Sequence, residues 1–140
     1  MAHPLGEGGE PAFDYASFRT ERVHGCAVVV ASGEIDMCTS PALGEALEQA
    51  ARKSERIIVD LTRVTFLDSS GMAAMVGALN RDHHRQRGTF CLVGPSGLVL
   101  RALQVTDLTR LFPIYDSVDG AVWQLVDQGA QEDGTAPSAG

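Results

Sequence analysis

Three short runs of mostly apolar residues constrain the fold of this chain more than any other feature. They lie at residues 27–31, 56–61 and 89–93, and β-branched residues are frequent in the first two. Runs of this length that are apolar on both faces are typical of strands buried inside a parallel sheet. The segments between them carry apolar residues at helical spacing. This alternation predicts an α/β domain whose central strands are largely parallel.

Four helices are predicted around these strands. The first begins at Ser40-Pro41, where Ser40 is expected to act as N-cap and Pro41 to take the first helical position. The third follows the turn at residues 94–97, and Ser117 is expected to cap the fourth. The second helix has one apolar face, formed by Met72, Met75, Val76 and Leu79.

Two weaker patterns complete the predicted sheet. Residues 18–23 alternate in part, as an edge strand does, and residues 113–115 form a short strand candidate. Residues 62–67 are interpreted as a short connection. We therefore expect a mixed, mostly parallel β-sheet of four to five strands with about four helices packed against it.

The two ends of the chain differ in composition from its centre. Gly, Pro and acidic residues are frequent in residues 1–12, and Gly, Ala, Ser and acidic residues in residues 128–140. Such segments bury too little apolar surface to order themselves, so we expect flexible tails there. Residues 13–127 are then a single domain.

Charge and cysteine content narrow the function classes. A net charge of -7 and a pI of about 4.9 argue against direct binding to nucleic acid or to an anionic membrane. The three cysteines lack Cys-x-x-Cys spacing, which is typical of reduced thiols in a cytoplasmic protein. No apolar stretch is long enough to span a bilayer, and no secretory signal is apparent.

No metal site is predicted either. His83 and His84 are adjacent in the sequence, so on a helix they point about 100° apart and do not share a metal easily. No zinc-like spacing of Cys and His occurs elsewhere in the chain.

The most informative segment is Val-Thr-Phe-Leu-Asp-Ser-Ser-Gly-Met at residues 64–72. It leads from an apolar run into the second helix. Asp68, Ser69 and Ser70 therefore lie where a helix exposes unpaired backbone N–H groups. On composition alone, the segment is typical of an N-cap and its loop.

This segment also resembles the signature of STAS domains in anti-sigma factor antagonists, which reads apolar-x-Phe-apolar-Asp-Ser-Ser-Gly. Gly-Glu-Ile-Asp at residues 33–36 resembles the family's Gly-Glu-Leu-Asp turn after its second strand. The strand at residues 90–93 followed by Gly-Pro-Ser-Gly-Leu also fits the family pattern. These separated motifs occur in the family's order, so the resemblance implies a single STAS domain.

The resemblance also implies a function. The unphosphorylated protein is expected to bind an anti-sigma factor that is a serine kinase, which releases a sigma factor for transcription. Phosphorylation of Ser69 by that kinase is expected to switch binding off, and a serine phosphatase to restore it. The chain is then a substrate and not an enzyme, with no cofactor of its own.

The resemblance places the partner-binding surface at Asp36, Asp68, Ser69, Ser70 and Gly71. The residues themselves leave several of these roles open. Asp36 fits a turn as well as a partner contact, and Asp68 and Ser70 fit capping roles. Gly71 is expected to keep the first helical turn uncrowded, so that a kinase reaches the Ser69 hydroxyl.

Three other functions share some of these sequence features. A receiver domain phosphorylated on Asp60 needs a late lysine, and Lys53 is the only lysine in the chain. A serine esterase needs a Gly-x-Ser-x-Gly elbow or another activated serine, and Asp-Ser-Ser-Gly is not that elbow. A STAS module that binds a partner or a ligand without being phosphorylated remains open.

Overall fold

The computed structural model describes residues 15–81 and 90–128. They form a five-stranded sheet in the order β1-β2-β3-β4-β5, in which β1 and β2 are antiparallel and all other neighbours are parallel. The strands are β1 (Ala16–Val23), β2 (Cys26–Ile35), β3 (Ile57–Leu67), β4 (Phe90–Val93) and β5 (Ile114–Tyr115). The helices are α1 (Ser40–Lys53), α2 (Ser69–Arg81), α3 (Gly97–Val105) and α4 (Val118–Val122). The predicted α/β architecture is confirmed.

Both faces of the sheet are buried, because helices pack on each of them. Successive strand residues point to opposite faces and so enter one or the other of these two cores. Helices α1, α2 and α3 cover one face, where Val29, Val59 and Leu92 share a core with helix residues such as Leu47 and Met75. Helix α4 covers the other face. There, Val28, Ile58 and Val93 pack with Val122 and Leu125. This arrangement explains why the central strands are apolar at almost every position.

The segment at residues 62–67, predicted to be a connection, is strand instead. It is the second half of β3, which pairs with β2 as far as Ile35 and Leu67. Two register shifts, between Val30 and Ser32 and between Gly33 and Glu34, interrupt this pairing. Irregular pairing of this kind disturbs the period-2 pattern by which a strand is recognised. The prediction was wrong here for that reason.

The ends of two helices also differ from the prediction. Helix α1 begins at Ser40, so Thr39 and not Ser40 is its N-cap. The backbone after α4 continues in π-helical form over Trp123–Gln128, one residue into the predicted tail. At the start of α4, the Ser117 hydroxyl accepts a hydrogen bond from the Gly120 N–H at 3.0 Å, which confirms its predicted cap. Residues 1–14 and 129–140, like His83 and His84, lie outside the described residues.

The strand order excludes a receiver domain. Receiver domains are doubly wound, with parallel strands in the order 2-1-3-4-5. Here the first two strands are antiparallel neighbours at one end of the sheet, and the strands follow their sequence order. Asp60 lies within β3, where its carboxylate accepts hydrogen bonds from the N–H and hydroxyl of Thr62. The alternative of a receiver domain phosphorylated on Asp60 therefore does not fit this fold.

Within residues 15–81 and 90–128, no helix combines the length and the apolar character that crossing a bilayer requires.

The burial of the cysteines gives a direct test of this fold. Cys26 and Cys91 are fully buried and Cys38 is exposed. Burial raises the pKa of both buried thiols, that of Cys91 to about 12, which further lowers their reactivity. A thiol reagent at neutral pH should therefore modify one thiol per folded chain and all three in denaturant. Cys38→Ser should leave no fast-reacting thiol, and rapid modification of either remaining cysteine would contradict the packing.

Candidate functional site

The candidate site lies where β2 and β3 end. Parallel strands bring their carboxyl ends to the same edge of a sheet, and here Ile35 pairs with Leu67. The Asp68 N–H then donates a hydrogen bond to the Ile35 carbonyl oxygen at 3.1 Å. The turn after β2 and the start of α2 therefore lie side by side at this edge, which also brings Asp36 to it.

Asp68 caps helix α2. Its Oδ1 accepts hydrogen bonds from the N–H groups of Ser70 at 2.8 Å and Gly71 at 3.3 Å, and its carbonyl oxygen accepts one from Met72 at 3.1 Å. The hydroxyl of Ser70 donates to the same carboxylate. That hydrogen bond, followed by the backbone N–H groups, lowers the pKa of Asp68. The geometry supports the capping roles of Asp68 and Ser70.

Ser69 is the first residue of α2 and is exposed. Its hydroxyl makes no hydrogen bond to any residue that the structure describes. Its backbone is nevertheless held on both sides, because Asp68 is bonded to Ile35 and Ser70 is bonded to Asp68. A freely accessible hydroxyl on a fixed backbone is suited to modification by another protein. A phosphate at this position would also lie at the positive end of the helix dipole.

Gly71 has a packing role in addition to the predicted one, which stays a prediction. It is buried, and a Cβ atom at this position would lie 2.5 Å from Leu67 Cδ1 and 2.6 Å from Ile35 Cγ2. The missing side chain lets α2 approach the ends of β2 and β3 closely. Gly71 therefore faces the core, and its burial does not support the predicted contact with a partner.

Asp36 is engaged in its own turn. Its Oδ1 accepts hydrogen bonds from the N–H groups of Cys38 at 2.9 Å and Thr39 at 3.2 Å, and the Tyr15 hydroxyl lies 3.4 Å away. Partial desolvation of the exposed Tyr15, together with the neighbouring Cys38 and Asp36, raises its pKa to about 12. The geometry supports the turn role of Asp36, and its contact with a partner stays a prediction.

Sequence reasoning missed Thr39. It is fully buried, and it is the only polar side chain so buried in the part of the chain that the structure describes. Its hydroxyl accepts a hydrogen bond from the Asp36 N–H at 2.9 Å and donates one to the Glu34 carbonyl oxygen at 2.9 Å. One signal was available in the sequence: Thr39 directly precedes Ser40-Pro41 and is itself a residue type that caps helices. The N-cap role was assigned to Ser40 instead.

Two large apolar side chains are exposed at the same edge. Met37, in the turn after β2, is 78% exposed, and Phe66, one residue before the end of β3, is 43% exposed. Exposed apolar groups beside polar ones are typical of surfaces that bind another protein. Phe66 was not predicted to be exposed, because residues 62–67 were not recognised as strand.

The described residues offer Ser69 no catalytic partner. His24, the one histidine among them, lies in the turn before β2, at the opposite end of the sheet from Ser69. No group of three or more His, Cys, Asp or Glu side chains within residues 15–81 and 90–128 is placed to hold a metal ion.

Comparison with known proteins agrees with this geometry. The family model of the STAS domain matches residues 17–121. The chain is 34% identical over 87 residues to the anti-sigma-B factor antagonist of Listeria monocytogenes, covering 61% of this chain and 75% of that protein. It is 32% identical over 110 residues to the anti-sigma F factor antagonist of Paenibacillus polymyxa, covering 75% of this chain and 91% of that protein.

A solved structure is similar over almost its full length. The crystal structure of an anti-sigma factor antagonist from Mycobacterium paratuberculosis superposes with a TM-score of 0.73 at 30% identity. The match covers 81% of this chain and 97% of that one.

The packing of Gly71 can be tested with a matched glycine of the same helix. Gly71→Ala should lower the free energy of unfolding by about 1–3 kcal/mol, because the new methyl group overlaps Ile35 and Leu67. At Gly77 a Cβ atom would meet only Arg81 Nη1, at 3.7 Å. Gly77→Ala should therefore raise the free energy of unfolding by about 0.5–1 kcal/mol, because alanine favours the helix more than glycine does. Urea unfolding measures both, and equal effects would contradict the packing.

The cap at Asp68 predicts a dependence on pH. Asp68→Ala should cost about 1 kcal/mol at neutral pH, as loss of an N-cap does. Because the pKa of the folded carboxyl is lowered, its contribution is present above the unfolded pKa of about 3.9 and is lost as the pH falls through the folded value. Urea unfolding of the wild type and of Asp68→Ala should show that the difference between their free energies of unfolding becomes smaller from pH 7 to pH 3. A constant difference would argue against an ionised cap.

Proposed function

Since the chain belongs to the STAS domain family, among the anti-sigma factor antagonists, we propose that it is a partner switch controlled at Ser69. The unphosphorylated form binds an anti-sigma factor that is also a serine kinase, and a sigma factor is released. Phosphorylation of Ser69 ends that binding, and a serine phosphatase restores it. The protein acts in the cytoplasm, where transcription is regulated, and it is the substrate of this cycle and not an enzyme.

The single observation that carries this proposal is the position of the Ser69 hydroxyl. It is exposed at the first residue of α2, between neighbours that hold the backbone. Its oxygen can attack the γ-phosphorus of ATP held by the kinase. The bond to the leaving ADP breaks, and the hydroxyl proton passes to a base of the kinase. The Ser70 hydroxyl is half-buried and directed to Asp68, so a kinase reaches it less easily than the exposed Ser69 hydroxyl.

The surroundings of Ser69 support binding to another protein. Met37 and Phe66 are exposed at the same edge and offer apolar anchors. Glu34 is exposed, Asp36 and Asp68 are half-buried, and together they make the edge acidic. An anti-sigma factor that presents an apolar patch with basic residues around it fits this surface.

Phosphorylation would act on the interface more than on the fold. The phosphate adds about -1.5 to -2 charges beside the ionised Asp68. The helix N-terminus offsets part of that repulsion in the free protein, where water solvates the rest. In a complex, the basic residues of the partner would already be paired with Glu34 and Asp36, so the dianion at Ser69 would lose its water without gaining a partner, which costs far more. The complex therefore separates while the domain stays folded.

Substitution of Ser69 tests the site directly. The anti-sigma factor kinase is first recovered from the native cell on immobilised Ser69→Ala protein and then purified. With this kinase and ATP, intact mass should show one phosphate on the wild type and on Ser70→Ala, and none on Ser69→Ala. Phosphate uptake by Ser69→Ala at the wild-type level would show that the site is wrong.

The same substitution site tests the switch. Ser69→Asp should weaken kinase binding at least about tenfold, or about 1.4 kcal/mol, with a nearly unchanged melting temperature. Gln49→Glu adds one negative charge at an exposed position near the far end of α1 and should bind as the wild type does. Calorimetry measures both affinities, and equal affinity of Ser69→Asp and the wild type would reject the mechanism.

A further inference from the structure

The hydroxyl of Thr39 stabilises the turn and not the helix that it precedes. Thr39 occupies the N-cap position of α1, yet its side chain makes no capping hydrogen bond to that helix. Both hydrogen bonds at 2.9 Å point backwards, to the N–H of Asp36 and the carbonyl oxygen of Glu34. A buried hydroxyl that both accepts and donates in this way joins two backbone groups of the turn through one side chain.

The turn that it holds is closed by further hydrogen bonds. The Asp36 carbonyl oxygen accepts from the N–H groups of Thr39 at 3.1 Å and Ser40 at 2.7 Å, and the Asp36 carboxylate accepts from Cys38 and Thr39. With the backbone drawn inward at both Asp36 and Thr39, the residues between them are left on the outside. Met37 and Cys38 are accordingly exposed.

Ile35 connects this turn to the start of α2. Its carbonyl oxygen accepts the hydrogen bond from Asp68, and its side chain is one of the two that a Cβ at Gly71 would overlap. Ile35, which is fully buried, therefore connects the turn that follows it to the helix start that contains Ser69. A partner that binds Ser69 encounters the turn as part of the same surface.

We propose that Thr39 is a positioning residue for the switch: its buried hydroxyl fixes residues 36–39 beside Ser69 in the shape that the anti-sigma factor kinase binds. This inference rests on the proposed function and adds to it the turn as a second recognition element. Loss of the hydroxyl removes the hydrogen bonds to the Asp36 N–H and the Glu34 carbonyl oxygen and loosens the turn. Ser69 and its cap at Asp68 are not touched.

A recognition role and a purely structural role predict different measurements. If Thr39 positions the turn for binding, its loss raises the Kd for the kinase and the KM for phosphorylation, whereas kcat stays the same because the acceptor hydroxyl is unchanged. If Thr39 only stabilises the domain, the folded fraction falls and the Kd of the folded protein does not change. Restoring the hydroxyl alone, in Thr39→Ser, separates the hydroxyl from the methyl group.

The experiment compares Thr39→Val with Thr39→Ser and two control variants. Thr62→Val removes another threonine hydroxyl, one bonded to Asp60 within β3. Ile58→Val removes a methyl group from the core on the α4 face and lowers stability away from the turn. All are measured with the kinase recovered on Ser69→Ala, at a temperature where melting curves show each variant folded.

Thr39→Val should raise both Kd and KM about tenfold, as loss of roughly one to two net hydrogen bonds does, with kcat within about twofold of the wild type. Thr39→Ser and both controls should stay within about twofold of the wild type in Kd and KM. If Thr39→Val does not fold, Thr39→Ala replaces it, because the smaller side chain leaves room for a water molecule to bridge the turn. Its Kd should then rise in the same direction.

Two results would overturn the inference. One is a Thr39→Val protein that binds and is phosphorylated as the wild type is. The other is a loss of affinity that follows melting temperature across all variants, Ile58→Val included. Failure of the proposed function is separate, because it appears as phosphate uptake by Ser69→Ala. If Ser69→Ala behaves as expected and Thr39→Val binds normally, only the role of Thr39 is refuted.

Discussion

The hydrogen bond from the Asp68 N–H to the Ile35 carbonyl oxygen, 3.1 Å long, joins the two segments on which the site depends. It extends the pairing of β2 and β3 by one step, to the point where β3 becomes helix α2. The close approach at Gly71 depends on the same joint, since Ile35 and Leu67 would both overlap a Cβ atom there. The backbone of Ser69 therefore lies in a tightly held part of this edge, although its side chain is exposed to solvent.

The balance of charges at this joint determines what a phosphate can do. A helix N-terminus favours a nearby negative charge by about 0.3–1 kcal/mol, and repulsion between exposed charges a few ångströms apart in water is of similar size. These two effects nearly cancel in the free domain. Desolvating an unpaired charge inside an interface costs several kcal/mol. Phosphorylation of Ser69 would thus be close to neutral for the fold and strongly unfavourable for the complex, as the proposed reversible switch requires.

Much of this arrangement could be predicted from the sequence, because the relevant patterns are local. The apolar runs specified the central strands, and the Asp-Ser-Ser-Gly segment placed a capped helix after β3. Two of the errors came from contacts that are distant in sequence. The second half of β3 was missed because its pairing with β2 is irregular. The packing role of Gly71 depends on Ile35, 36 residues earlier in the chain. Thr39 was missed because its hydroxyl bonds backwards to Asp36 and Glu34, and no helix-capping pattern describes that.

The rigidity of this edge follows from where its polar groups are satisfied. Thr39, Asp36 and Asp68 direct their hydrogen bonds to the backbone of the turn and of α2, so the conformational entropy of both segments is lost on folding. A partner that binds a preorganised surface does not bear that ordering cost again. Under the proposed function, the exposed Met37 and Phe66 would then add apolar contacts to binding without a further ordering cost. In the proposed switch, a single phosphate reverses the outcome because the hydrogen bonds that fix the backbone around Ser69 would also fix the position of its phosphate in the interface.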